Sequence, residues 1–479
     1  MAGIGFRLHK FLKEGTYVST LKGLIFATSL VAGPWIVTMF AVSLMTVFTR
    51  LQGVEYDVFR TSIVYIYAIS LVFTGLYQMP VTRYVADALY AKHLEKVVPG
   101  FIAMAIATVL VQGTAGFAFS LILPFSWVFR LTFQGGLVIV SLLWLSGIYL
   151  SCLRDYVAIT IIFAGGAFVS VIASILGEKA WGLDGAMLGF FAGQGVILLG
   201  QVWRIFFEIG RPMAKPDFSI LQSPAMFREH FWVGFLCNLG VWADKIIYWF
   251  SPVGQKVCPG LFACPLYDTP MFFAYVTIIP AIGMFFLNVE TVFYDAYREF
   301  YSAIEGRHTF RSITRRQTDV KRTIRFSYQE MIRIQGTITL LIFVFAPEIL
   351  SSFGYHNDLV GPLRWALWGG FFQVLFLFGS LSLLYFDFSR EALYGSFVYC
   401  SVNIVISGLT AWGFLPAWHG VGYFVAALLA FLITMQSLRH KLSELTFLTF
   451  MGHPFPGERE AERPVLGSDG RLGEIIFRK

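Results

Sequence analysis

The chain has 479 residues, of which 57% are apolar and only 14% are charged, with 50 phenylalanines and a formal net charge of +7. A soluble domain carries roughly 25% charged residues, so this composition excludes a water-soluble globular fold and indicates helices that face lipid. The positive charge bears on orientation in a membrane, and no nucleic-acid partner is expected.

Residues 1–22 are mixed and basic and are expected to form a cytoplasmic segment. The first apolar run has no A-x-A-like cleavage site, so it is expected to remain as a span rather than to be removed as a signal peptide. A hydrocarbon core about 30 Å thick needs roughly 20 apolar residues of helix. Stretches that meet or approach this lie at 23–48, 61–79, 99–123, 136–150, 157–176, 185–207, 231–251, 270–290, 334–354, 363–386, 393–412 and 420–437. The fourth and the last are short. The expected class is therefore an all-α polytopic membrane protein with about 12 transmembrane helices.

Orientation follows from the bias of Lys and Arg toward the cytoplasm. With the N-terminus inside, 29 of the 36 basic residues fall on cytoplasmic segments and helix ends, among them Arg83, Lys92, Lys96, Arg204, Arg211 and Lys215. Both termini are then cytoplasmic.

The spans divide into an N-lobe at 23–207 and a C-lobe at 231–437, joined by a polar linker at 208–230. Each half has its longest cytoplasmic loop after its second span, and the approaches to these loops, Val81-x5-Asp87-Ala88 and Val289-x5-Asp295-Ala296, are alike. Six spans per half give both halves one orientation and predict a pseudo-two-fold axis along the membrane normal. Such a layout suits a transporter with a central cavity.

Span seven breaks the apolar rule with Asp244 and Lys245, which on a helix point about 100° apart and are expected to seek separate partners. Asn238, Trp242, Lys245 and Trp249 are spaced four, three and four apart, one helical face that could line a sugar-binding cavity. The plainer alternative has Asp244 bonded to a neighbouring helix and Lys245 snorkelling outward. In span nine, Ala346-Pro347-Glu348 predicts a kink, with Glu348 facing either the cavity or the outer interface. Gly33-Pro34 predicts a break in span one, and Glu290 and Asp87 are expected as solvated carboxylates at span ends.

Cys258 and Cys264 share the outer loop CPGLFAC and are a candidate disulfide, while Cys152, Cys237 and Cys400 read as buried thiols. The cytoplasmic segment 291–333 carries nine basic residues against five acids, with Phe293, Tyr294, Tyr297, Phe300 and Tyr301 in its first turns. It suits either anionic lipid headgroups or a docking partner, through Arg315, Arg316, Lys321 and Arg322. Residues 438–479 turn polar and are expected to be a flexible tail. No P-loop, H-E-x-x-H, paired CxxC or D-x-D motif is present, so no nucleotide, metal or other cofactor and no enzymatic activity are expected.

The opening MAGIGFRLHKF, Gly33-Pro34-Trp35, NLGVWADKIIYWFSP and FFLNVETVFYDAYREFYSAI together resemble the PelG family of Pel exopolysaccharide transporters, from residue 1 to about 440. The resemblance implies a multidrug/oligosaccharidyl-lipid/polysaccharide (MATE-like) flippase fold, two six-helix lobes around a central cavity in a bacterial inner membrane. It further implies export of an N-acetylgalactosamine- and galactosamine-rich biofilm polymer. Implied partners are a PelF-type cytoplasmic glycosyltransferase, a PelD-type cyclic-di-GMP receptor and PelE-type membrane proteins. Two other functions fit the residues: a non-transporting scaffold that recruits the glycosyltransferase through 291–333, and a multidrug or lipid-linked oligosaccharide flippase.

Overall fold

The computed structural model describes residues 51–152, 156–209, 215–415 and 418–451, together with Thr28, Leu44 and Phe48. Apart from those three, the expected first span with its Gly33-Pro34 break lies outside the described residues, as do residues 1–22, Arg211 and the tail beyond 451.

Four helices precede the linker: α1 (Val54–Tyr90), α2 (Leu94–Ser120), α3 (Trp127–Cys152) and α4 (Tyr156–Ile209). After it come α5 (Arg228–Trp249), a β-hairpin of β1 (Gln255–Cys258) and β2 (Leu261–Ala263), then α6 (Pro265–Thr277), α7 (Ile279–Asn288) and α8 (Tyr294–Glu305). The chain ends with α9 (Phe310–Val344), α10 (Ala346–Ser352), α11 (Val360–Tyr385), α12 (Ser389–Ala411), α13 (Val421–Ser443) and α14 (Leu445–Met451). Every expected span from the second to the twelfth overlaps a helix. The two short ones lengthen, because α3 and α13 continue into polar ends that a hydropathy reading trims. The expected tail begins later than position 438, since helix runs on through α13 and α14.

By length and apolarity eight of the described helices can cross a bilayer, or nine if the bent pair α9–α10 is one span. Two features bear on that number. Helix α4 leaves helical geometry at Trp181 and at Gly182, whose φ of 59° a side chain would strain. Its two arms fold back so closely that a β-carbon on Gly177 would meet the Gly185 carbonyl oxygen at 2.2 Å. Expected spans five and six are thus an antiparallel pair. Helix α5 is not among the eight, because Asn238, Asp244 and Lys245 dilute its apolar character.

Proline acts where the sequence predicted it. Pro347 opens α10, and the axis bends by 69° between α9 and α10.

Packing falls into two groups, α1–α4 and α5–α13, which meet chiefly through α1 against α5 and the hairpin. Three apolar cores result. One spans both groups at the hairpin end and includes Phe59, Tyr65, Phe133, Phe190, Trp249 and Leu261. The other two lie one in each group at the opposite end, around Tyr84, Phe101 and Tyr149 and around Phe293, Phe300 and Phe378. Among the described residues, the groups therefore share a core at one end and keep separate cores at the other.

Candidate functional site

The seam between the groups is built on small residues. A β-carbon on Gly75 would lie 2.9 Å from the Gly234 carbonyl oxygen, so only glycine lets α1 and α5 approach this closely. On either side of that contact, Asn238 Nδ2 donates to the Leu71 carbonyl at 3.0 Å and to Gln78 Oε1 at 3.2 Å. Asn238 thus clamps two helices.

At the hairpin end the seam is tied by Tyr65. Its ring stacks on Trp249 with centroids 4.6 Å apart and planes 15° apart. Its hydroxyl donates to the Phe262 carbonyl and accepts the Phe262 N–H, both at 3.1 Å. Phe262 is in β2, whose other edge pairs with β1, so Tyr65 fills the free edge of a two-stranded ribbon. Trp249 Nε1 donates to both oxygens of Asp268 (3.1 and 3.0 Å), and Asp268 also accepts the Cys264 N–H at 2.9 Å. The chain of contacts runs from α1 through α5 to the root of the hairpin. At the opposite end the seam is crossed by Arg83, 3.8 Å from Asp387 and 3.2 Å from Asp87. Asp87 is therefore ion-paired rather than simply solvated.

The structure corrects the reading of Asp244 and Lys245. They are buried, at 0% and 6% exposure, and they pair with each other, Lys245 Nζ lying 3.1 and 3.2 Å from the two carboxylate oxygens. The four-carbon lysine stem curls back across the 100° that separates the two α-carbons, which a reading of backbone angles alone overlooks. Tyr267 donates to Asp244 at 2.5 Å, and Lys245 reaches the Val241 carbonyl at 2.8 Å and the Tyr275 hydroxyl at 3.2 Å. Tyr275 and Tyr423 also face the ammonium at 4.9 and 5.8 Å. Neither charge is left for a substrate, and Lys245 does not snorkel.

The remaining members of the expected stripe divide. Trp249 is buried in the stack. Trp242 lies beside it, 6.2 Å between centroids, half-buried and with its Nε1 lacking a partner among the described residues. Glu348 is exposed on α10 beyond the bend. All five cysteines are free. The hairpin register explains why Cys258 and Cys264 do not bond: Cys258 pairs with Leu261, whereas Cys264 lies beyond the Gln255–Ala263 pair. They are about 10 Å apart along the ribbon, beyond the reach of a disulfide.

The basic segment is two helices, α8 and α9, and its aromatics turn inward. Phe293 and Tyr297 pack against Tyr385 and Phe386 at the end of α11, and Phe300 is buried. The four candidate docking residues do not share a face. Arg315 and Arg322 are exposed, Arg316 is paired with Glu299, and Lys321 lies half-buried on the flank.

Uncharged polar groups escaped the sequence reading. On α1, Tyr67, Ser70, Thr74 and Tyr77 recur every three or four residues toward α3 and α4, where Trp144 Nε1 donates to Ser70 Oγ at 3.1 Å and Tyr67 bonds Gln194. Their spacing was a usable signal. Tyr65 and Asp268 gave none: one is an ordinary span aromatic, the other sat in an expected outer loop.

The model of the PelG family, described as "Putative exopolysaccharide Exporter (EPS-E)", matches residues 1–450. Among solved structures, the chain is similar to an outward-facing multidrug resistance MATE transporter of the MOP superfamily (TM-score 0.63, 14% identity, 88% of this chain and 96% of that one). It is also similar to a MOP superfamily transporter from Pyrococcus furiosus (0.59, 14%, 88% and 96%) and to the Vibrio cholerae MATE transporter VcmN in its bent form (0.58, 12%, 93% and 98%). At such identities the likeness establishes a MATE-like fold and says nothing of which end is open. No curated protein sequence matches.

Proposed function

The chain belongs to the PelG family of exopolysaccharide exporters, and on that premise we propose that it carries a growing galactosamine-containing polysaccharide across the bacterial inner membrane to the periplasm. The polymer passes between the two helix groups. The observation that supports this path is the distribution of cores: joined across the groups at the hairpin end, separate at the other. On this reading a polymer enters at the split end and is held behind the shared core.

The excess of Lys and Arg on the split end, with Arg83, Arg390, Lys441 and the arginines of α9, supports a cytoplasmic split end and a periplasmic hairpin. The closure is then on the exit side. Parting it breaks two hydrogen bonds worth about 1 kcal/mol each and a ring stack worth about 0.5–1.5 kcal/mol, and exposes apolar surface of the shared core. Across the split end, the partly exposed Arg83–Asp387 pair contributes about 1 kcal/mol.

Within this account the Asp244–Lys245 pair with its tyrosines is a rigid polar core of the second group, not a site for cationic sugars. Trp242, with its unpartnered indole N–H beside the closure, is the aromatic best placed to meet a sugar ring. The reading is tested by deleting the gene and assaying polymer with a galactosamine-specific lectin. Surface polymer should vanish and return with the wild-type chain. Normal surface polymer without the chain would refute it.

A further inference from the structure

Helix α9 carries a feature that the export path does not use. Arg311, Arg315, Arg322, Arg325 and Arg333 are separated by four, seven, three and eight residues, so they fall in one stripe about 33 Å long. All five are exposed. Among the described residues, only Arg333 of the five forms an ion pair, with Glu330 at 2.7 Å; Asp319 stands one turn from Arg315 and Arg322 without pairing with either. The opposite face is apolar and buried through Ile313, Val320, Ile324 and Met331.

The stripe continues into Leu340 and Val344, which are 53% and 61% exposed. One face of one straight helix thus passes from exposed arginine to exposed leucine and valine, which is the perimeter that lipid covers. The level is fixed by neighbours. Tyr328 packs on Phe378 of α11 and Phe431 of α13, well inside the apolar layer. Gln317 Nε2 donates to the Leu442 and Ser443 carbonyls, where α13 ends. Between those two points α9 leaves the hydrocarbon, so Arg322 and Arg325 lie at headgroup depth, with Arg315 about 10 Å and Arg311 about 16 Å beyond Arg322 along the axis. Beside this end, Phe310, Phe447 and Phe450 are 72%, 63% and 50% exposed and line one shallow groove, the aromatic complement expected at an interface.

We propose that Arg311, Arg315, Arg322 and Arg325 of α9, with the Phe310–Phe447–Phe450 patch beside them, form a binding surface for the phosphate headgroups of anionic phospholipid. The positive, lipid-facing stripe meets the negative leaflet surface, and each arginine adds to the attraction. The surface does not depend on what the chain exports.

The test uses the full chain purified in detergent, with phosphatidylglycerol or phosphatidylcholine added, and retained lipid counted by native mass spectrometry. Wild type should keep phosphatidylglycerol about tenfold or more over phosphatidylcholine, and added salt should erase the preference. The variant R311Q/R315Q/R322Q/R325Q, checked for a single gel-filtration peak, should lose the preference, while the four Arg→Lys changes should retain most of it. Equal retention by the Gln variant, no preference in wild type, or a preference that survives high salt would each overturn the proposal. So would an acidic protein that occupies the stripe and that phosphatidylglycerol fails to displace.

Discussion

Tyr65 of α1 lies flat on Trp249 of α5, 4.6 Å between ring centroids, while its hydroxyl holds both backbone groups of Phe262 in the β-hairpin. One side chain therefore ties the first helix group to both the second group and the ribbon that caps it. The stack sits in the apolar core shared by both groups, and the core divides away from it.

Asp244 and Lys245 should behave as a unit. Asp244→Asn or Lys245→Met leaves one buried charge uncompensated, at a cost of about 3–5 kcal/mol. Removing both charges together should cost markedly less. Thermal unfolding of the purified variants measures this, with the double variant expected above either single one and still supporting export. A double variant as unstable as the sum of the singles would show that the charges act separately.

Cys258 and Cys264 should both be reduced in the folded chain, giving an intact mass that a reductant leaves unchanged. Burial pushes the Cys258 thiol above its usual range, ahead of the smaller opposing effects of the Leu261 backbone and Lys256. A raised thiol is mostly protonated at neutral pH, so maleimide labelling of Cys258 should climb with pH through the alkaline range and lag free cysteine throughout. Cys264, fully buried, should label only on unfolding. A mass two units lighter under non-reducing conditions would contradict the register described.

Gly75→Val should separate α1 from α5, because its side chain would press on the Gly234 backbone. Overpacking of this kind costs about 1–3 kcal/mol. Surface polymer should fall several-fold at matched membrane levels. Gly165→Val is the control, since nothing lies within 4 Å of a β-carbon there, and it should export normally. Equal effects of the two would remove the seam from the mechanism.

The membrane fold was legible because span length and lysine–arginine bias are set by the bilayer, whatever the tertiary contacts. Pro347 announced its bend for the same local reason. The site was legible only in outline. Asp244 and Lys245 stood out as charges, but whether they separate or pair depends on side-chain reach and on Tyr267 and Tyr275, 23 and 30 residues away. Tyr65 could not be distinguished from other span aromatics, since its partner Phe262 lies 197 positions on. The arginines of α9 were visible as composition, but which of them share a face needed the buried side of the helix.

The central claim is that the hairpin end must part for polymer to leave. Tyr65→Cys and Phe262→Cys, placed in a chain with Cys258→Ala and Cys264→Ala, can be bridged on living cells by a short bifunctional maleimide. Bridging should abolish new surface polymer, while a monofunctional maleimide on the same chain should leave most of it. Undiminished surface polymer after complete bridging would contradict the account.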